Sequence, residues 1–237
     1  MPLGNLTQEQ SFAFLAEVTS TRNLLSYGIR VVRSAPFVDT TQDPILTMLS
    51  IGLEKLYKLT LGLVALDDNG SWPSSVEMRA HGHNVTRMHN LVFLEIGKRT
   101  MEATPYVRSL LERTHRDPVV LPLIKALDMY GRSGRFYHLD LLGDAQQSWE
   151  SPFHYWQEVE SAATSDETIQ EARSAAIQNV MDGQLWDKLR LMTNQRIADS
   201  IEGIWEAIAV CGRNHALGEV GGQFGFEVHP NAVGRQW

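Results

Sequence analysis

One cysteine in 237 residues, Cys211, leaves this chain without an internal disulfide. Its neighbours Ala207, Ile208 and Val210 are apolar, which predicts a buried and unreactive thiol. That usage suits a reducing cytoplasm. No apolar run approaches the roughly 18–20 residues that a membrane span needs, so no transmembrane helix is expected. Met1 to Gln10 holds no basic segment followed by an apolar stretch, and a secretory leader is not expected either. Also missing are a phosphate-binding glycine loop, a nucleophile elbow, a Cys-x-x-Cys pair and a His-Glu-x-x-His pair. Their absence excludes several common enzyme classes, and neither a cofactor nor a metal is expected. The formal net charge of −7 argues against a reader of duplex DNA, which normally carries a net basic domain.

What is present is apolar residues at helical spacing. With 43% hydrophobic residues the chain can bury a sizeable core as one helical domain. Phe14, Val18, Leu25, Ile29 and Val32 keep one face apolar and predict a helix over about 9–33, ended by Pro36. Asp43-Pro44 has the chemistry of a helix start, a capping carboxylate followed by a residue whose missing amide costs nothing there. The helix it opens runs to about Leu66 and is apolar nearly all round, which places it at the centre of a bundle. A third helix is expected over about 83–101, with Val85, Met88, Val92 and Ile96 inward.

Thr104-Pro105 and Asp117-Pro118 mark two further starts, the second leading to a helix that reaches about Leu142 but breaks or kinks at Gly131 and Gly134. Ser151-Pro152 and the box Thr164-x-x-Glu167 begin two more. A last long helix spans about 184–212, and the glycine-rich tail beyond Asn214 reads as disordered or as a short docked hairpin. The expected architecture is therefore all-α: a bundle core over about 9–142, a helical extension over about 150–214 and a tail over 215–237.

Charge is unevenly spread. Residues 98–138 carry eight Lys or Arg against four acids, whereas fifteen acids face six bases from Asp140 onward. A patch able to meet phosphate is therefore expected in the middle of the chain.

Three constellations can carry chemistry. Glu54 and Lys58 lie four apart on the central helix and can pair along one face; on so apolar a helix they must point to a cleft, a partner or another charge. Arg79, His81 and His83, with Arg87 and His89 beyond, gather at the start of the third helix. Free amides there favour an anion, so Arg79, His81, His83, Arg87 and Lys58 are candidate anion-binding residues; a helix cap with interhelical hydrogen bonds accounts for the same pattern. The His-x-His spacing is not that of helical zinc ligands. Third, Arg132, Arg135 and His138 punctuate the segment around the two glycines. Cleavage of RNA needs an acid and base and a cation for the phosphorus centre, which a histidine and arginines supply without metal. These three are the candidate catalytic residues. Against that, Phe136, Tyr137 and Leu139 read equally well as core, with the charged groups bracing loops.

The order of these features, Gly52-Leu53-Glu54-Lys55-x-x-Lys58, a loop, then Gly82-His83-Asn84 opening the next helix, resembles the higher-eukaryote and prokaryote nucleotide-binding (HEPN) helical domains, including phage abortive-infection relatives, over about residues 10–142. The resemblance implies a helical bundle, often dimeric. Many members are metal-independent ribonucleases with an Arg and a His separated by four to six residues, a pattern that Arg132 and His138 fit with five between them. Other members are binding modules.

Two readings follow: a non-catalytic helical binding or assembly protein, which is favoured, and a metal-independent ribonuclease using Arg132 and His138. The expected partners are a second copy of the chain, drawn together by helices bearing Trp149, Trp156, Trp186 and Trp205, and RNA or a nucleotide, with neither membrane nor duplex DNA.

Overall fold

The computed structural model describes residues 2–36, 38–143 and 147–233. Among these the chain is all-α, without a strand: α1 (Gln8–Ser34), α2 (Val38–Asn69), α3 (Ser75–Ala80), α4 (Val85–Arg99), α5 (Pro105–Arg116), α6 (Val120–Arg132), α7 (Tyr137–Leu142), α8 (Pro152–Ala163), α9 (Glu167–Gln178), α10 (Gly183–Arg213) and α11 (Gly218–Val228). No described helix is long and apolar enough to cross a membrane.

The helix apolar on every side takes the position its composition demands. Ile45, Leu46, Leu49, Leu53, Leu56, Tyr57 and Leu63 of α2 have no exposure, and α1, α4, α6 and α11 pack around them. The α1 stripe is buried as its spacing requires, and Thr7 and Gln10 close its N-terminus as a capping box. One hydrophobic cluster runs from Leu6 to Val228 and takes in Trp156 of α8, Ile201 of α10 and Phe224 of α11.

Several starts differ from expectation because a nearby group competes. The second helix begins at Val38, so Pro44 stands inside it, where proline costs about 3 kcal/mol. Complete burial of Ile45, Leu46 and Leu49 offsets that cost, and the Asp43 carboxylate is engaged by the Tyr130 hydroxyl, 3.2 Å away, rather than capping amides. The third helix starts at Val85 with Asn84 as its cap, preceded by short α3, which the box Ser74-x-x-Glu77 closes. The expected Thr164 box does not form: Thr164 ends α8, and Asp166 caps α9 by accepting from the Thr168 amide. At Gly131 and Gly134 the expected break is present, with α6 ending at Arg132 and a 3-10 turn over Gly134–Phe136 leading into α7. A Cβ on Gly134 would come within 2.9 Å of the Met129 sulfur.

The largest correction concerns the tail. Residues 218–228 form a helix with Val220, Phe224 and Val228 buried. Glycines of both α10 and α11 serve close approach: a Cβ on Gly212 would meet the Gly221 carbonyl at 2.8 Å, and one on Gly225 would meet the Ala209 carbonyl at 2.5 Å. Gly218, at φ +75°, makes the turn between α10 and α11. The four tryptophans expected to draw copies together divide otherwise: Trp156 and Trp205 are core, 1% and 2% exposed, while Trp149 and Trp186 reach the surface.

Candidate functional site

On one side of α2 the apolar pattern is interrupted by Asp43, Thr47, Ser50, Glu54 and Lys58, at the three- and four-residue spacing of a single helix face. This polar stripe meets α6 and the start of α4. Thr47 and the Tyr130 hydroxyl are 3.1 Å apart, and Ser50 lies against Gly131. Further along, the Glu54 carboxylate, only 12% exposed, lies 2.8 Å from Lys58 Nζ and 3.0 Å from His83 Nδ1. A carboxylate so shielded is costly unless paired. The first constellation and part of the second are thus one cluster.

The N-terminal amides of α4 are all in use. Val85 donates to the His83 carbonyl, Thr86 to Asp128, Arg87 to the Asn84 side chain and Met88 to the Asn84 carbonyl. An anion at this junction would therefore be held by side chains. Three of the expected anion-binding residues surround Glu54 or one another: Lys58 and His83 through the carboxylate, and His81 through proximity to Lys58 and Arg87. Burial first, then the charges of Arg87 and Lys58, push the His81 imidazole below its usual value. Arg79 is turned back on its own helix, donating from Nε to the Ser75 carbonyl and from Nη2 to the Ser75 hydroxyl. His89 belongs to the core side: its Nδ1 is 2.8 Å from the Tyr57 hydroxyl, and burial drives it down to about 4.

Arg132 reaches this junction through a residue that sequence reasoning missed. Asp128 of α6, 7% exposed, accepts the Thr86 amide on one oxygen and Arg132 Nη1 on the other, at 3.2 and 3.3 Å. The same guanidinium lies over the Trp149 ring, 5.4 Å from its centroid. Asp128 and Arg132 are four apart on a helix, a legible ion pair; the link to Thr86 joins residues 42 positions apart and had no local signal. Arg135 donates to the Gly131 carbonyl at 3.5 Å. His138 is exposed, edge-on to the Tyr137 ring, and makes no hydrogen bond or ion pair among the described residues. The three candidate catalytic residues thus share one exposed segment, and only Arg132 is tied to the α4 start.

Among the described residues no group of three or more His, Cys, Asp or Glu is placed to hold a metal. Burial pushes the Cys211 thiol up to about 12, so it is no nucleophile. No family model, no curated protein and no solved structure matches the chain.

Proposed function

We propose that this protein is a non-catalytic helical binding module that takes a phosphate-bearing ligand, single-stranded RNA, at the α2–α4–α6 junction. The observation that carries the reading is the meeting of Lys58 and His83 on Glu54 and of Arg132 on Asp128, two shielded carboxylates, with His81 close to Lys58 and Arg87. Two carboxylates against Lys58, Arg87 and Arg132 do not cancel the positive charge, which leaves locally positive potential on a protein of net charge −7. Arginine over Trp149 adds an aromatic face beside the cations, as single-stranded nucleic acid requires. A HEPN-like assignment belongs to this reading, and Glu54, Lys58 and His83, three of the residues that carry that resemblance, meet at this junction.

A second reading, metal-independent ribonuclease, is favoured by one observation: the His138 imidazole, without a hydrogen bond or ion pair among the described residues, lies one 3-10 turn beyond Arg132. Fluorescence polarisation with a labelled single-stranded RNA, followed by gel analysis of the same mixture with and without chelator, separates the two. The binding reading expects a polarisation rise lost at high salt and intact RNA. Chelator-resistant cleavage that disappears in His138→Ala supports the ribonuclease, and no polarisation change at low salt removes both.

The reading includes a cytoplasmic homodimer. Phe136, Leu139 and Leu142 present 62%, 63% and 83% exposed apolar side chains on and beside α7, a surface suited to a second copy. Light scattering that gives a monomer mass at high protein concentration contradicts it.

A further inference from the structure

Gly203 lies in the middle of α10, where glycine costs about 1 kcal/mol relative to alanine. Other helical glycines in this fold make room for neighbours: a Cβ on Gly28 would strike Leu49, one on Gly62 would strike Trp72, and those on Gly212 and Gly225 would strike backbone. A Cβ on Gly203 would meet no atom within 4 Å. Gly97 and Gly183 are equally unhindered but exposed, whereas Gly203 is half-buried. Nothing within the fold requires a glycine there.

Gly203 lines a cleft of about 680 Å³ between α5 and α10. That volume is in the range of small-molecule sites. Thr114 and Ser200, 5% and 2% exposed, form its floor with Gly203. The frame is fixed by Asp117 and Arg196, whose Nη2 and Nη1 reach the two carboxylate oxygens at 2.6 and 3.1 Å, and by Arg33, which holds Asp199 and Glu202. The rim is loosely paired. Arg113 is 3.6 Å from Glu206, and Arg116 is 3.6 Å from Glu112, both arginines being largely exposed. Such pairs are worth about 0–1 kcal/mol, so a ligand can replace them at little cost. The cleft therefore opposes two available guanidinium groups on α5 to an available carboxylate on α10, across a floor kept free of a side chain.

We propose that the α5–α10 cleft binds a small zwitterion of dipeptide size, its carboxylate taken by Arg113 and Arg116, its ammonium by Glu206, and its backbone lying over Gly203. The site is separate from the α2–α4–α6 junction and its ligand carries no phosphate.

Calorimetric titration of the full chain with the dipeptide Ala-Ala, its N-acetyl form and its C-terminal amide tests the charge pattern, the amide at nearly constant shape. Ala-Ala binds, and each blocked form, having lost the charge at one end, binds more weakly by roughly tenfold or more. Gly203→Leu fills the floor and abolishes binding while leaving the melting temperature unchanged or higher. Gly203→Ala raises it and keeps binding. Arg113→Gln, a change on the exposed rim, weakens Ala-Ala and narrows its advantage over the amide. The proposal is overturned if Ala-Ala gives no heat at millimolar concentration, if the three peptides bind alike, if Gly203→Leu binds as the parent does, or if that variant fails to fold.

Discussion

Glu54 and Asp117 are both shielded carboxylates met by cations, 12% and 15% exposed, yet their surroundings leave different things over. Asp117 is saturated. Arg196 donates to both of its oxygens, Ser200 and the Val119 amide donate as well, and these bonds outweigh the upward push of burial and hold the carboxyl below its usual range. Glu54 has Lys58 and His83, while His81 stands near Lys58 and Arg87 and takes no oxygen of Glu54. The first arrangement joins α10 to the loop before α6. The second assembles cations faster than it cancels them. An ion pair whose bonds close on themselves is architecture, and one that leaves donors over is a place to look for a ligand.

The comparison breaks most sharply under substitution. Asp117→Ala leaves Arg196 unpaired and is expected to cost about 2–3 kcal/mol in urea denaturation, with RNA affinity of the folded protein unchanged. Equal stability of variant and parent would make the Asp117 network ornamental. Its pH dependence has a definite sign. Because the folded carboxyl titrates below the unfolded one, its stabilisation is full above about pH 4 and is lost as pH falls through the folded value. Denaturation followed between neutral and acid pH, compared with the alanine variant, isolates that loss.

At the junction the expected changes are in binding. Arg87→Gln and Lys58→Gln should each weaken single-stranded RNA several-fold and lower the slope of affinity against salt by about one phosphate contact. Unaltered slopes in both would move the RNA surface elsewhere. Glu54→Gln should act in the opposite direction, tightening binding by removing negative charge, at a stability cost of about 1 kcal/mol. The smallest effect belongs to His81. Its imidazole titrates below the ordinary value, so a bound phosphate that stabilises the charged form should tighten binding a few-fold as pH falls below about 6.5. Polarisation titrations across that range, with His81→Gln losing the trend, measure it.

How much was legible follows from how local each signal is. The stripes of α1, α2, α4 and α10 are written in apolar spacing, and burial honours them. Helix starts are legible where proline occupies the first turn, as at Pro105 and Pro152, and differ from expectation where a tertiary contact claims the capping residue, as Tyr130 claims Asp43. The α11 helix is not legible in the sequence, because glycine-rich composition alone does not distinguish a flexible tail from a helix packed closely on α10. Gly225 is the one whose Cβ would meet the α10 backbone, whereas Gly218 lies against Asp67 and Gly221 against Leu217. For the site, Lys58 and His83 were found one by one through charge on an apolar helix and at a helix start. Asp128 was not, since its role exists only when α4 and α6 touch.

The most direct test of the junction is a nuclear magnetic resonance titration of the histidine side chains with single-stranded RNA. Binding at α2–α4–α6 predicts shifts of the His81 and His83 imidazoles, with His229 unmoved. Unchanged His81 and His83 signals in a complex that polarisation shows to have formed would contradict the account.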